Sequence, residues 1–262
     1  MTKPLSDLDL TGLTPGKIAL LIDFDGTLVE FADHPDAVAL SPDTRSILET
    51  MCAMTDGALA IITGRPISDI DLFFEPLLLP VAGVHGMTRR TAWGEMHTAA
   101  VDSLVLTTVR AKLERFVDLH PGLLLEDKHG SLALHYRVRP ELKEASIRAV
   151  HDAVAGLDGL QLLHGKMVIE AKAGRATKAE AVAAFMQEEP FRGRLPIFAG
   201  DDVTDEYAFG EIARHGGISI KIGAGETAAS YRTEGTLSFQ AWLRRLSEQL
   251  KHVKREQSFE QS

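Results

Sequence analysis

The sequence predicts an α/β chain, a parallel-sheet core of alternating strands and helices into which a smaller α+β domain is inserted. Three observations lead there. Continuous apolar runs at 17–22, 58–62 and 195–199 each end in a polar segment, as strands buried on both faces do. Helical spacing separates these runs. Between 101 and 173 the pattern changes to a helix followed by a two-strand hairpin, and this unit occurs twice.

The run at 17–22 stops at Asp23. Ser41 is the expected N-cap of the next helix, with Pro42 at its first position and Ile47, Leu48, Met51 and Met54 on one face. The strand at 58–62 ends at Thr63, and strand, helix, strand is the unit of a parallel sheet. Near the C-terminus the alternation returns as a helix at 177–187, a strand at 195–199, a helix at 206–214 and a strand at 218–222. A final amphipathic helix is expected over 239–252, and the polar stretch 254–262 is expected to fray.

In the insert, a helix at 101–119 precedes strands 123–128 and 131–137, which meet at His129-Gly130. A second helix at 140–157 precedes strands 160–164 and 167–172, joined by Gly165-Lys166. The expectation is a four-stranded antiparallel sheet with both helices on one face. The domains are therefore a core at 1–100 and 174–262 and an insert at 101–173. Side chains alternate along a strand, so Leu123, Leu125, Leu132, Leu134, Tyr136, Met167 and Ile169 would meet the helices. Glu126, Lys128, His135, Arg137, Glu170 and Lys172 share the other face, which would be a solvated face unless it binds something.

Bulk properties narrow the partners. A net charge of −9 without a basic stripe argues against nucleic acid, and no apolar run approaches the roughly 18–20 residues of a membrane span. The acidic first residues do not resemble an export signal, and the single cysteine, Cys52, suits a reducing compartment. A cytoplasmic protein acting on a small molecule is expected, with a monomer slightly favoured.

Three strands end in Asp23-Phe24-Asp25-Gly26-Thr27, Thr63-Gly64-Arg65 and Gly200-Asp201-Asp202-Val203-Thr204-Asp205. In an open parallel sheet, ligands bind at the carboxyl ends of the strands, so these segments should converge. Five carboxylates held close demand a cation, and Mg²⁺ beside a phosphate is the economical choice. A paired-carboxylate glycosidase would leave the lysine at 178 and the Thr63 loop without a role.

These segments resemble the four ordered motifs of the haloacid-dehalogenase-like (HAD) superfamily. Asp23, Asp25 and Thr27 match the first, Thr63 the second, Lys178 the third, and Asp201, Asp202 and Asp205 the fourth. The resemblance implies a Rossmann-like core and catalysis by Asp23, Asp25, Thr63 and Lys178. Asp23 would be the nucleophile and Asp25 the acid and base. Mg²⁺ would sit on Asp23, the Asp25 main-chain carbonyl and Asp201, with Asp202 and Asp205 orienting water or the lysine. Thr63 and the backbone N–H groups after Asp23 would hold the phosphoryl oxygens, with Gly26, Gly64 and Arg65 on the substrate. Lys172 is the alternative to Lys178.

An insert between the second and third motifs corresponds to the αββ-repeat (C2B) cap. The segments Thr63-Gly64-Arg65-Pro66, Gly83-Val84-His85-Gly86, Glu126-Asp127-Lys128, His135-Tyr136-Arg137, Gly165-Lys166-Met167-Val168-Ile169-Glu170 and Gly200-Asp201-Asp202-Val203-Thr204-Asp205-Glu206 resemble the trehalose-6-phosphate phosphatase family. That resemblance implies trehalose 6-phosphate as substrate, with Glu126, Lys128 and Glu170 on the sugar distal to the phosphate. Arg137 and His135 would touch sugar or brace the glutamates, and His85 would line the leaving-group pocket or be structural. A phosphatase for another sugar phosphate, such as sucrose phosphate, and a non-catalytic sugar-phosphate binder are the competing readings.

Overall fold

The computed structural model describes residues 2–32, 37–99, 103–128, 130–174 and 176–260. In chain order the strands and helices are β1 (Lys3–Pro4), β2 (Ile18–Ile22), α1 (Pro42–Met54), β3 (Leu59–Ile62), α2 (Ile67–Phe74), β4 (Val81–Gly83), β5 (Thr88–Arg90) and β6 (Met96–Thr98). There follow α3 (Ser103–Asp118), β7 (Leu124–Asp127), β8 (Ser131–His135), α4 (Lys143–Val154), β9 (Leu160–Gly165) and β10 (Val168–Ala173). The chain closes with α5 (Lys178–Met186), β11 (Leu195–Gly200), α6 (Val203–Arg214), β12 (Ile218–Ile222), β13 (Tyr231–Thr233) and α7 (Thr236–Glu260).

Two compact units result, one of Met1–Met96 with Thr177–Ser262 and the other of His97–Ala176. The insert is thus a few residues longer at each end than 101–173. Its junctions are short polar segments that carry no periodicity to mark them.

In the first unit, parallel pairing runs through β1, β13, β12, β11, β2, β3 and β4, and β5 joins β4 antiparallel. All of β2 and β3 is buried. Alternation divides β2 between two cores. Ile18, Leu20 and Ile22 pack with Ile47, Leu48 and Met51 of α1 and with Phe239, Leu243 and Leu246 of α7. Ala19 and Leu21 pack with Val182 and Phe185 of α5 and with Phe209 and Ile212 of α6. Truncating such a residue, for instance Leu21→Ala, costs about 2–5 kcal/mol.

Helix α1 begins as its sequence indicates, with Pro42 in the first turn and the Ser41 hydroxyl accepting from the Thr44 amide at 3.1 Å. Helix α7 runs on to Glu260 rather than fraying after His252. The Lys, Arg, Glu and Gln of its exposed end are good helix formers even without an apolar face. Among the described residues no helix is long and apolar enough to cross a membrane.

The second unit is an antiparallel sheet of order β7-β8-β10-β9. Leu106, Val109 and Leu113 of α3 and Val150 and Ala153 of α4 pack on Leu132, Leu134, Ile169 and Ala171. One turn differs from expectation. Val168 pairs with Gly165, so the β9–β10 loop is Lys166-Met167, with Met167 at φ 64°, and not Gly165-Lys166. Burial of Ile169, Ala171 and Ala173 sets the register, and the register moves the turn one residue on. The β7–β8 turn was expected at His129-Gly130, and His129 lies outside the described residues.

Candidate active site

Strands β11, β2 and β3 are neighbours, so their carboxyl ends deliver Asp201, Asp23 and Thr63 side by side. The Asp23 amide donates to Ala199 O at 2.9 Å and the Thr63 amide to Ala82 O at 2.8 Å, which ties each residue to the next strand. Asp23, Thr63, Lys178, Asp201 and Asp205 are all buried, and Asp202 and Asp25 are partly exposed.

Lys178 is the first residue of α5, where Thr177 and Glu180 form a capping box. Its ammonium donates to Asp23 Oδ1 and Asp205 Oδ1, each at 2.7 Å. The Thr27 hydroxyl donates to the other Asp23 oxygen at 3.2 Å. Lys172, the alternative lysine, is buried in the second unit and donates to Ala176 O.

Asp205 closes the fourth motif. Its Oδ2 accepts the amides of Asp201 at 3.0 Å and Asp202 at 2.9 Å, and Asp202 caps α6. Carboxylate oxygens of Asp23, Asp201 and Asp205 lie within 4.8 Å of one another. Three hard oxygen donors of this kind fit a hard divalent cation. Gly26, at φ 77°, lets the first loop pass beneath them. A Cβ there would lie 2.3 Å from Asp201 Oδ2.

Burial, reinforced by Asp205 and Asp201 and opposed by Lys178, pushes the Asp23 carboxyl well above the usual range. A cation among these carboxylates would remove that penalty. Burial alone would lower the Lys178 ammonium, yet Asp205 and Asp23 outweigh it and hold the lysine charged.

Asp25 is paired with Arg65. Arg65 donates Nε to its Oδ2 at 2.7 Å and Nη2 to its Oδ1 at 2.8 Å. The guanidinium lies 5.6 Å from the centroid of each of the Phe24 and Phe73 rings, which contact one another at 4.8 Å, so it rests over the pair. Arg65, expected on the substrate, here pairs with the first motif, and its amide donates to Thr63 Oγ1 at 3.1 Å. The His85 ring covers Gly64, where a Cβ would lie 2.7 Å from it.

In the second unit, the pairing of Glu170 with Ala133 and of Glu126 with Ala133 puts both glutamates on one face, with Lys128 and His135. Lys128 Nζ lies 3.4 Å from Glu170 Oε2 and 3.7 Å from Glu126 Oε2. His135 Nε2 is 2.7 Å from Glu126 Oε2, so that nitrogen carries the proton and braces the glutamate. Burial would raise Glu126, but the His135 hydrogen bond and the Lys128 charge hold its carboxyl below the ordinary range. Arg137 lies beyond the end of β8 and donates to Lys166 O at 3.2 Å.

Two supporting residues had no motif to reveal them. Lys221, in β12, is buried against the fourth motif, and Phe73 of α2 flanks Arg65. A lysine set between Ile220 and Ile222 was the signal available for the first.

A parallel sheet with aspartates at the carboxyl ends of its strands, and an αββ repeat inserted in the chain, makes an α/β fold, and the match to trehalose-phosphate phosphatases makes the class of protein a phosphoric monoester hydrolase. The chain belongs to the trehalose-phosphatase family, whose model matches residues 21–239. It is 39% identical to the trehalose-6-phosphate phosphatase of Escherichia coli K12 over 93% of this chain and 90% of that one. A probable trehalose-phosphate phosphatase of Sinorhizobium fredii is 42% identical over 78% of this chain and 77% of its own. The C-terminal domain of trehalose-6-phosphate phosphatase from C. albicans superposes with a TM-score of 0.84 at 21% identity, over 95% of this chain and 98% of that domain.

Proposed function

We propose that this chain hydrolyses trehalose 6-phosphate to trehalose and phosphate, with Asp23 as nucleophile and Mg²⁺ as the cation. The observation that carries the reading is the Asp23 carboxylate, buried 2.7 Å from Lys178 and grouped with Asp201 and Asp205. Asp23 attacks phosphorus through one oxygen, the ester P–O bond breaks, and Asp25 gives its proton to the departing sugar oxygen. Water then attacks the aspartyl phosphate, Asp25 takes up the water proton, and the Asp23 carboxylate is restored. Both Asp25 oxygens are held by Arg65, so proton delivery requires that pair to open when substrate enters.

Lys178 offsets the charge that gathers on Asp23 and the phosphoryl group, and Thr63 supplies a hydrogen bond to it. Asp23, Asp201 and the Asp25 main-chain carbonyl would hold Mg²⁺, which would supply the charge neutralisation that lets one anion approach another. In this reading the first unit is catalytic and His97–Ala176 carries specificity. Glu126, Lys128 and Glu170 would bond the hydroxyls of the sugar, because each hydroxyl left unpaired in such a site costs binding. A lone cysteine and a metabolite substrate fit a cytoplasmic setting.

The test is phosphate release from trehalose 6-phosphate, sucrose 6-phosphate and glucose 6-phosphate, with Mg²⁺ and with EDTA. Release should be fastest from the trehalose ester and should cease with EDTA. Asp23→Asn should fold and show no turnover. Equal rates on all three esters, or an active Asp23→Asn, would refute the assignment.

A further inference from the structure

We infer that Lys221 is a positioning residue that fixes the main chain at Asp201 and through it the cation site; this rests on the proposed role of Asp201 as a ligand. Lys221 stands opposite Gly200 in the parallel register of β11 and β12, one strand away from the fourth motif. Only 5% of it is exposed, and a lysine is seldom so buried unless it is paired. Its ammonium donates to Asp201 O at 2.6 Å and lies 3.7 Å from Glu206 Oε1. The other Glu206 oxygen accepts the Ala228 amide at 2.8 Å, which anchors the glutamate.

The Asp201 residue is thereby held at both ends of its main chain. Its N–H donates to Asp205 Oδ2 at 3.0 Å, and its carbonyl accepts from Lys221. This is where β11 turns into α6, so the orientation of the Asp201 main chain determines where its carboxylate points. The tolerance is small, because Asp201 Oδ2 abuts the Gly26 turn at a spot where even a Cβ would sit 2.3 Å away. Without the Lys221 clamp the carbonyl loses this donor, the Asp205 contact is left to orient the main chain from its N–H side, and the carboxylate shifts from its place beside Asp23 and Asp205. Groups that orient metal ligands in this way typically carry a 10–100-fold effect on metal affinity.

The experiment is calorimetric titration of the metal-stripped full chain with Mg²⁺, paired with steady-state kinetics and thermal melting. Lys221→Met removes the donor at similar length. Lys221→Met with Glu206→Gln also removes the half-buried carboxylate that the first change leaves without its ammonium neighbour. Mg²⁺ binding should weaken about 10–100-fold in both, with kcat reduced and KM for trehalose 6-phosphate within about twofold. A double variant that melts with the unaltered protein and still shows the weaker binding supports positioning over general destabilisation. Either folded variant binding Mg²⁺ as tightly as the unaltered chain overturns it. An unaltered chain that binds no Mg²⁺ instead overturns the cation reading, and the Lys221 inference with it.

Discussion

Lys178 sits between Asp23 and Asp205 with almost no water to share its charge. Removing one partner of a buried ion pair leaves the other charge unpaired, which costs about 3–5 kcal/mol. Lys178→Ala should therefore lose stability of that order in urea unfolding at neutral pH without metal, together with turnover. An undiminished unfolding midpoint would contradict the geometry. Glu126 offers a test of the opposite kind. Its carboxyl is held below the ordinary range, so its ionised form contributes stability above the unfolded value, and that contribution is lost as pH falls through the folded one. The melting difference between the unaltered chain and Glu126→Gln should be full at neutral pH and shrink in acid. A difference that grew in acid would reverse the sign.

Among the elements, the short turn after β4 does most to align the motifs. Val84 and His85 adopt φ of 49° and 54°, left-handed values that a β-branched valine rarely takes. Their amides donate to Arg65 O at 3.0 Å and Thr63 O at 2.9 Å, so the turn is strapped to the second motif. On its other side Gly86, at φ 95°, lets the chain pass so close to α5 that a Cβ would sit 2.6 Å from Thr177 O. Strain held at such a place is the mark of a turn whose surroundings dictate its shape. Gly86→Ala should push back the N-terminus of α5, and misplacement of Lys178 by about 1 Å can cost about 100-fold in rate. Thr177→Ala should cost about 1 kcal/mol by loss of the cap, with a smaller effect on kcat. Kinetics and melting of the two variants side by side check the ranking.

For the molecule as a whole, a cation bound by the folded state alone adds stability by mass action. At 100 times its Kd, Mg²⁺ should add about 2.7 kcal/mol. For a chain of this size that corresponds to a rise in Tm of several degrees, on the order of 2–4 °C per kcal/mol. The rise should diminish in acid, where protons compete with the cation for the Asp23 carboxylate, whose affinity for a proton burial raises. Differential scanning calorimetry with and without Mg²⁺ reads it directly, and an unchanged Tm would argue against a cation in this carboxylate group.

What the sequence determined by itself is the local grammar and the chemistry. Apolar runs ending in Asp23, Thr63 and Gly200-Asp201 place strands and their functional ends, because a doubly buried strand must be apolar until it leaves the sheet. Ser41 and Pro42 announce a helix start for equally local reasons, and parity separates Glu126, Lys128 and Glu170 from the core of the insert. Short strands such as β1, β4, β5 and β13 were not legible, since two or three residues show no period. Tertiary structure alone decided the rest: that Arg65 clamps Asp25, that His135 braces Glu126, that the hairpin turns at Lys166-Met167, and that Lys221 supports Asp201 from a neighbouring strand. Each depends on side chains brought together across strands, where register and packing, which no local pattern encodes, choose the partner.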